Sequence, residues 1–243
     1  MIYQDITSND LVQVYPRVLC FTCSTNRPLF IRNCILQIQA QSIAADHVIY
    51  INHPKAKDEN ETTNYQYLLD DIKAKKNTTI QIQYGATVSQ HKNHMAALTL
   101  ANINNYDLFL KIDDDDIYRT DYIKQVVDSF KEKKWDFSGQ NATGILNGIH
   151  FQKNAILECL GENELDIKYN VPKMMPGTYA FSQKAIKLLQ EKMIDQQQFE
   201  DPQWRVLLAK EKHIKTLKRN GTQYIYHIHG KNISTSHHLI KND

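Results

Sequence analysis

The feature that most constrains this chain is the regular alternation of short apolar runs with amphipathic stretches in its first half. Arg17 to Thr22 (RVLCFT) is rich in strand formers, and helical spacing follows from Pro28 to about Gln41. Pro28 suits a first helical turn, where its missing N–H would have no intrahelical partner in any case. His47 to Asn52 (HVIYIN) reads as a second strand. Asn64 to Ala74 reads as a helix with Tyr65, Leu68, Leu69 and Ile72 on one side. Thr78 to Tyr84 (TTIQIQY) alternates with the period of a strand. Gln90 to Ile103 is a further helix, and Tyr106 to Ile112 (YDLFLKI) a fourth strand. Strands that take turns with helices build βαβ units around a mainly parallel sheet. Ligands of such sheets gather beyond the carboxyl ends of the strands, so chemistry is to be sought there.

The second half is less regular. Thr120 to Lys133 reads as a helix capped by Thr120, with Asp121 in its first turn. Trp135 to Ser138 and Ile145 to Gln152 read as strands, and Thr178 to Ser182 leads into a helix near Gln183 to Met193. Pro202 to Ala209 reads as helical, and Gln223 to His229 as a late alternating strand. No internal repeat, low-complexity tract or Pro/Gly-rich linker interrupts the sequence, so residues 1–243 are expected to form one domain.

That length is enough to bury a substantial core. A net charge of +2 lacks the strong basic excess of a nucleic-acid binder, and no nucleic-acid partner is expected. No apolar run approaches the ~20 residues that span a bilayer. The start, MIYQDITSND, has neither the basic nor the apolar region of a secretory signal, so a cytoplasmic location is expected. Cys20 and Cys23 have CxxC spacing, but no second Cys/His pair completes a zinc site and both lie in a strand-like run. The four cysteines are therefore read as reduced, structural thiols.

The most informative segment is LFLKIDDDDIY, residues 108–118, where four consecutive carboxylates, Asp113 to Asp116, follow an apolar strand directly. Adjacent carboxylates repel one another and cost stability. Oxygen-rich sites of this kind suit hard divalent cations, which offset the repulsion and bridge to phosphates. A solvated acidic turn ordinarily places its acids among Gly, Ser and Asn rather than against a strand such as LFLKI.

The segment resembles the DxD motif of GT-A-fold glycosyltransferases, especially family 2 and its relatives. In that register Asp113 and Asp115 are the two motif carboxylates. The resemblance implies that Asp115 binds Mn²⁺ or Mg²⁺ directly, and that Asp113 reaches the ribose or the metal through water. Four acids in a row let the register slip by one, which keeps Asp114 as a nucleotide-binding candidate and Asp116 as a metal ligand.

Three further segments match the family in order. TCSTNRPLFIRNCILQIQAQS, residues 22–42, is similar to its opening strand, Thr/Ser-rich loop and helix, with Thr22, Ser24 and Arg27 at positions that contact the nucleotide. Hydroxyls and helix N–H groups suit phosphate there, and Arg27 adds a cation for a diphosphate. Relatives often carry an acid after the second strand to meet uracil; here Asn52 stands in that region, with no acid beside it. GATVSQHKNHMAALTLAN, residues 85–102, resembles the loop and helix that precede the motif strand, with Lys92 and Asn93 at nucleotide-binding positions. MMPGTYAFSQKAI and the later FEDPQW resemble the acceptor half, where the Asp of a Glu-Asp pair is the catalytic base. Asp201 fits that role, with Glu200 as its fallback. A late His often serves such enzymes as a metal ligand, which makes His227 and His229 candidates.

The resemblance implies an α/β GT-A fold: a Rossmann-like, mixed but mainly parallel sheet flanked by helices. A nucleotide-binding half would cover about 17–118 and an acceptor-binding half about 119–232. The implied activity is inverting, metal-dependent transfer from a nucleotide-sugar, a UDP-sugar first, to a glycan or lipid-linked acceptor in bacterial surface polysaccharide synthesis. KEKHIKTLKR, residues 210–219, carries five Lys/Arg against one Glu. It is read as a solvated helix end or strand face, or as a contact with the inner face of the membrane. Two alternatives stand beside this reading. One is a nucleotidyltransferase acting on sugar phosphates, against which CSTNRPLF lacks the usual glycine-rich loop. The other is a non-catalytic glycan-binding module of the same fold.

Overall fold

The run VLCFTCS forms strand β1 (Val18–Ser24), buried along nearly all its length because helices cover both faces of its sheet. The computed structural model describes residues 15–25, 27–53, 77–84, 89–147, 150–153, 165–166, 171–172, 174–193 and 201–228. After β1 come α1 (Pro28–Gln39), β2 (Asp46–His53), β3 (Thr78–Tyr84), α2 (Gln90–Thr99) and β4 (Leu108–Lys111). These are the strands and helices the alternation predicts, with ends moved by a few residues. The helix expected over 64–74 lies outside the described residues.

Strand β1 pairs in parallel with β2 on one side and β4 on the other, and β2 pairs in parallel with β3. The later elements are β5 (Ile117–Tyr118), α3 (Tyr122–Lys133), β6 (Phe137–Gln140), β7 (Gly144–Asn147), β8 (His150–Lys153), β9 (Leu165–Asp166) and β10 (Val171–Pro172). They are followed by β11 (Ala180–Ser182), α4 (Gln183–Met193), α5 (Asp201–Lys210), β12 (Thr216–Arg219) and β13 (Tyr224–Ile228). Among the described residues a seven-stranded sheet runs β12-β6-β11-β4-β1-β2-β3. Only β11 opposes the direction of its fellows. A smaller sheet runs β5-β13-β7-β8, and β9 and β10 form a separate pair.

Strand alternation divides the core. Leu19 and Phe21 face one layer, with Phe109, Phe181, Leu189 and Trp204. Val18 and Cys20 face the other, with Leu110, Ile38, Tyr122 and Val126. Helix α1 buries Ile31, Cys34, Ile35 and Ile38, the spacing of one helical stripe. Cys20 and Cys23, three apart on a strand, point to opposite faces and form no joint site; with Cys34 they are free thiols.

Three sequence expectations change. Ile145 to Gln152 is two antiparallel strands, β7 and β8, with Asn147 opposite His150. Helix α3 starts at Tyr122 rather than after Thr120, and the Asp121 side chain makes no capping bond; it accepts from Ser42 Oγ at 2.7 Å instead. The basic run 210–219 holds the end of α5 and β12, which among the described residues is an edge strand of the seven-stranded sheet and whose Arg219 is buried. That guanidinium donates to the Thr178 carbonyl at 2.6 Å and to Gln140 Oε1 at 3.1 Å, so it is not surface charge.

Candidate active site at the end of strand β4

Chain segments from both halves converge where β1 and β4 end. Strand β1 delivers Ser24, Arg27 stands immediately before α1, and β4 runs straight into Asp113 to Asp116. Strand β13 closes over the same loop from the far end of the sequence, pairing Tyr224 with Tyr118 and Ile225 with Ile117. Two α1 glutamines brace the return of the loop. Gln37 Oε1 accepts from the Tyr118 N–H at 2.6 Å, while Gln37 Nε2 donates to the Asp116 carbonyl at 3.3 Å. Gln41 donates to the Arg119 carbonyl at 2.9 Å and accepts from the Ile123 N–H at 2.9 Å.

Each of the four acids has its own surroundings. Asp113 pairs with the ammonium of Lys111, a side chain fully buried in β4. Its backbone N–H donates to the Tyr118 hydroxyl at 2.8 Å, and that hydroxyl donates to the Gly177 carbonyl at 2.8 Å. Asp114 accepts from Ser24 Oγ and from Arg27 Nη2, the latter at 2.5 Å. Asp115 accepts from Arg27 Nη1 at 2.7 Å. Asp116 accepts from the Tyr224 hydroxyl at 2.5 Å and from the His227 backbone N–H at 3.1 Å. The His227 ring in turn lies with Nδ1 3.0 Å from the Asp115 carbonyl oxygen.

Burial dominates the electrostatics. It pushes the Asp114 carboxyl up from 3.8 to about 7, with Asp115 and Asp113 adding repulsion and Arg27 and Ser24 opposing the rise. Burial likewise raises Asp116 well above the usual carboxylate range, and its neighbours Asp113 and Asp115 add to the effect. Tyr118 and Tyr224 are raised by burial and by the Asp116 charge. Burial thus outweighs the Arg27 and Ser24 contacts at Asp114, and the Tyr224 and His227 hydrogen bonds at Asp116. Among the described residues, no group of three or more His, Cys, Asp or Glu side chains is arranged to hold a metal ion.

The remaining candidates are more scattered. Thr22 is buried, its hydroxyl 2.9 Å from His47 Nε2 and 3.8 Å from Cys34 Sγ, so its side chain serves the interior. Burial lowers His47 to about 3, which keeps its ring neutral. Asn52 at the end of β2 and Asn93 in the first turn of α2 are both buried, and each has a carboxamide oxygen without a hydrogen-bond partner. Lys92 is exposed, and its backbone N–H is capped by Ser89 Oγ at 3.3 Å. Asp201 is the first residue of α5, whose buried Trp204 donates to His91 Nδ1 on α2 at 3.1 Å. Glu200 and His229 lie outside the described residues. Sequence reasoning missed Lys111, Gln37, Gln41, Tyr118, Gly177 and Tyr224. The lone cation inside LFLKI was the available signal for Lys111; the others look ordinary until the fold brings them to the loop.

No protein-family profile matches the chain, and no curated protein matches it. Solved structures do. Residues 1–349 of S. aureus TarS in complex with UDP-GlcNAc match with a TM-score of 0.58 at 12% identity, over 93% of this chain and 61% of that one. The mannosyltransferase PcManGT from Pyrobaculum calidifontis, in complex with GDP-Man and Mn²⁺, gives 0.51 at 10% identity over 90% of this chain and 59% of that one. A 4-diphosphocytidyl-2C-methyl-D-erythritol synthase from Anaerococcus prevotii gives 0.51 at 10% identity, over 84% of this chain and 87% of that one. The chain spans about three fifths of the TarS and PcManGT chains. At these identities the likeness speaks for the fold alone: a mixed α/β, mostly parallel sheet with flanking helices, the GT-A architecture of nucleotide-sugar transferases.

Proposed function

We propose that this protein is an inverting, metal-dependent glycosyltransferase that moves a sugar from a nucleotide-sugar, a UDP-sugar first, to a hydroxyl of a glycan or lipid-linked acceptor. The observation that carries this reading is the acidic loop at the carboxyl end of β4, faced by Arg27 and closed over by β13 in a GT-A sheet. The neighbours solved with UDP-GlcNAc and with GDP-Man and Mn²⁺ support a nucleotide-sugar donor. Residues 17–118 would bind that donor, and residues 119–232 the acceptor.

The loop's carboxylates have the donor chemistry of a divalent-cation site, while the described side chains are not already arranged as one. Carboxylate oxygens are hard donors suited to Mn²⁺ or Mg²⁺, and four of them follow one another in this loop. Asp115 would hold the ion, with Asp113 and the late His227 as its supporting candidates. Bound there, the cation supplies charge neutralisation for the departing nucleoside diphosphate. Arg27 and the N-terminal N–H groups of α1 hold the diphosphate. Asp201 takes the proton of the acceptor hydroxyl as its oxygen bonds the anomeric carbon and the bond to the diphosphate breaks on the opposite face. General-base help of this kind is worth ~10²–10⁴-fold.

Calorimetric titration with a panel of nucleoside diphosphates, with and without Mn²⁺, tests the reading. Tight, Mn²⁺-dependent binding of one nucleotide, lost in Asp115→Ala, is expected; no binding of any nucleotide sinks the proposal. Asp201→Asn should abolish turnover while leaving donor binding nearly intact, and lost donor binding would contradict its role. One observation favours a second reading: the structural match to the synthase covers most of that chain. A nucleotidyltransferase would bind a nucleoside triphosphate in preference to any diphosphate-sugar, and adding nucleoside triphosphates and UDP-sugars to the titration panel separates the two. A non-catalytic module would bind the donor without its metal-dependent hydrolysis. A place in bacterial surface polysaccharide synthesis, with a peripheral contact at the inner face of the membrane, is proposed on the family resemblance alone. Salt-sensitive binding to anionic liposomes tests the membrane contact, for which Lys210, Lys212, Lys215 and Lys218 remain after Arg219 turns inward.

A further inference from the structure

We infer that Asp116 is a positioning residue that sets the orientation and tautomer of His227, and that it is not itself a ligand of the cation. Both oxygens of its carboxylate already receive hydrogen bonds from β13: Oδ2 from the Tyr224 hydroxyl at 2.5 Å, Oδ1 from the His227 N–H at 3.1 Å. The group is 3% exposed. Gly177 walls it in. A Cβ built at that glycine would lie 2.7 Å from Asp116 Oδ2, 2.8 Å from Asp113 Oδ2 and 3.0 Å from the Tyr224 hydroxyl. Gln37 Nε2 holds the Asp116 backbone carbonyl from the α1 side at 3.3 Å, so the residue is fixed at both ends. A carboxylate enclosed in this way has little room to turn an oxygen toward a metal. It fastens one strand to one loop.

What it fastens is chemically specific. With the His227 backbone tied to Asp116, the imidazole reaches back so that Nδ1 lies 3.0 Å from the Asp115 carbonyl oxygen. A carbonyl oxygen only accepts, so Nδ1 carries the hydrogen and Nε2 is the unprotonated nitrogen of the neutral ring. The ring also meets Phe30 edge-on at 6.2 Å, and the Arg27 guanidinium lies 5.9 Å from the centre of that same Phe30 ring. The imidazole is thereby held against Asp115, assigned above to the cation, and against Phe30, whose ring Arg27 also faces. An imidazole that gives its other N–H to a backbone carbonyl is how proteins commonly orient a metal-binding histidine. That last use rests on the function proposed above; the control of His227 by Asp116 does not.

Two measurements separate these layers. The first needs no metal: long-range ¹H–¹⁵N correlation of the imidazoles in ¹⁵N-histidine-labelled protein at about pH 8, with His227→Gln to assign the signal. Wild type should show His227 as the Nδ1–H tautomer, and Asp116→Asn should move it toward Nε2–H. Tyr224→Phe, which removes one bond without changing charge, should give an intermediate shift and serves if Asp116→Asn fails to fold. An unchanged His227 signal in a folded Asp116→Asn or Tyr224→Phe protein overturns the inference. The second is Mn²⁺ binding followed by electron paramagnetic resonance in the presence of UDP. Asp116 reaches the ring only through the His227 backbone, so Asp116→Asn should weaken binding by no more than the ~10–100-fold that loss of a ring N–H partner costs, while Asp115→Ala removes it. Loss as complete in Asp116→Asn as in Asp115→Ala makes Asp116 a ligand and overturns the inference. If wild type itself binds no Mn²⁺, the proposed function fails, and the tautomer measurement still decides the role of Asp116.

Discussion

Replacing Asp114 with Asn should change how the stability of the metal-free protein depends on pH, by an amount that follows from burial. Asp114 titrates at 3.8 when unfolded and near 7 when folded, chiefly because burial disfavours its charged form more than Arg27 favours it. A folded-state value raised above the unfolded one means that the native state binds the proton more tightly. The contribution is therefore fully present below about pH 4 and is lost as pH rises toward 7. A gap of about three pH units at ~1.4 kcal/mol each is worth ~4 kcal/mol. His47 works in the opposite sense. Lowered from 6.5 to about 3, it favours the native state above pH 6.5 and costs stability as pH falls. The two slopes overlap, so the wild-type profile alone conceals the Asp114 contribution, whereas the difference between variant and wild type isolates it. Relative to wild type, Asp114→Asn should gain ~4 kcal/mol between pH 4 and pH 8. For a chain of this size that is on the order of 10 °C in melting temperature. The assay is thermal unfolding by circular dichroism, in EDTA, at half-unit pH steps. A difference between the two proteins that stays constant with pH would refute the reasoning.

Other perturbations test the scaffold of the loop. Gly177→Ala would press a methyl against Asp116 and Asp113; it should cost ~1–3 kcal/mol in urea unfolding, and an unchanged midpoint would show that the loop gives way freely. Gln41→Ala strips the Ile123 N–H and the Arg119 carbonyl of their partner, at a cost of ~1–3 kcal/mol in the same assay. Lys111→Met leaves Asp113 without its buried ammonium, with an expected loss of ~3 kcal/mol or more. Adding Asp113→Asn to Lys111→Met should recover part of that loss, and strict additivity of the two changes would show that they do not interact.

Much of the sheet was legible because its strands obey local rules. RVLCFT, HVIYIN and TTIQIQY are apolar or alternating runs that need no distant partner to be recognised as strands, and Pro28 marks the start of α1. The acidic run was legible for a related reason, since four carboxylates against LFLKI are costly unless something compensates them. Elements whose identity depends on pairing were harder. Strand β12 lies in a run dominated by lysines, and only its place beside β6 reveals that Arg219 points inward. Thr120 has the chemistry of a helix cap, yet the chain begins the helix two residues later and spends Asp121 on Ser42. In the site, sequence named Ser24, Arg27 and the four aspartates, which the fold does bring together. It could not divide the aspartates by role, because that division is made by Lys111, Tyr118, Tyr224 and Gly177, residues that become neighbours only through tertiary structure.

The closure of β13 over the acidic loop also bears on the order in which the molecule can be built. The bonds that finish the loop join residues far apart in sequence: Tyr118 to Gly177 across 59 positions, Asp116 to Tyr224 across 108, and Asp115 to His227 across 112. Loop-closure entropy must be met before such contacts repay it, which favours pairings of short range first. On a ribosome the aspartates emerge about a hundred residues ahead of Tyr224 and His227, the groups that lie against them. A nascent chain that already holds β1 to β4 thus has Lys111 and Arg27 beside Asp113, Asp114 and Asp115, whereas Asp116 waits for Tyr224 and the His227 N–H until nearly the whole protein has been made.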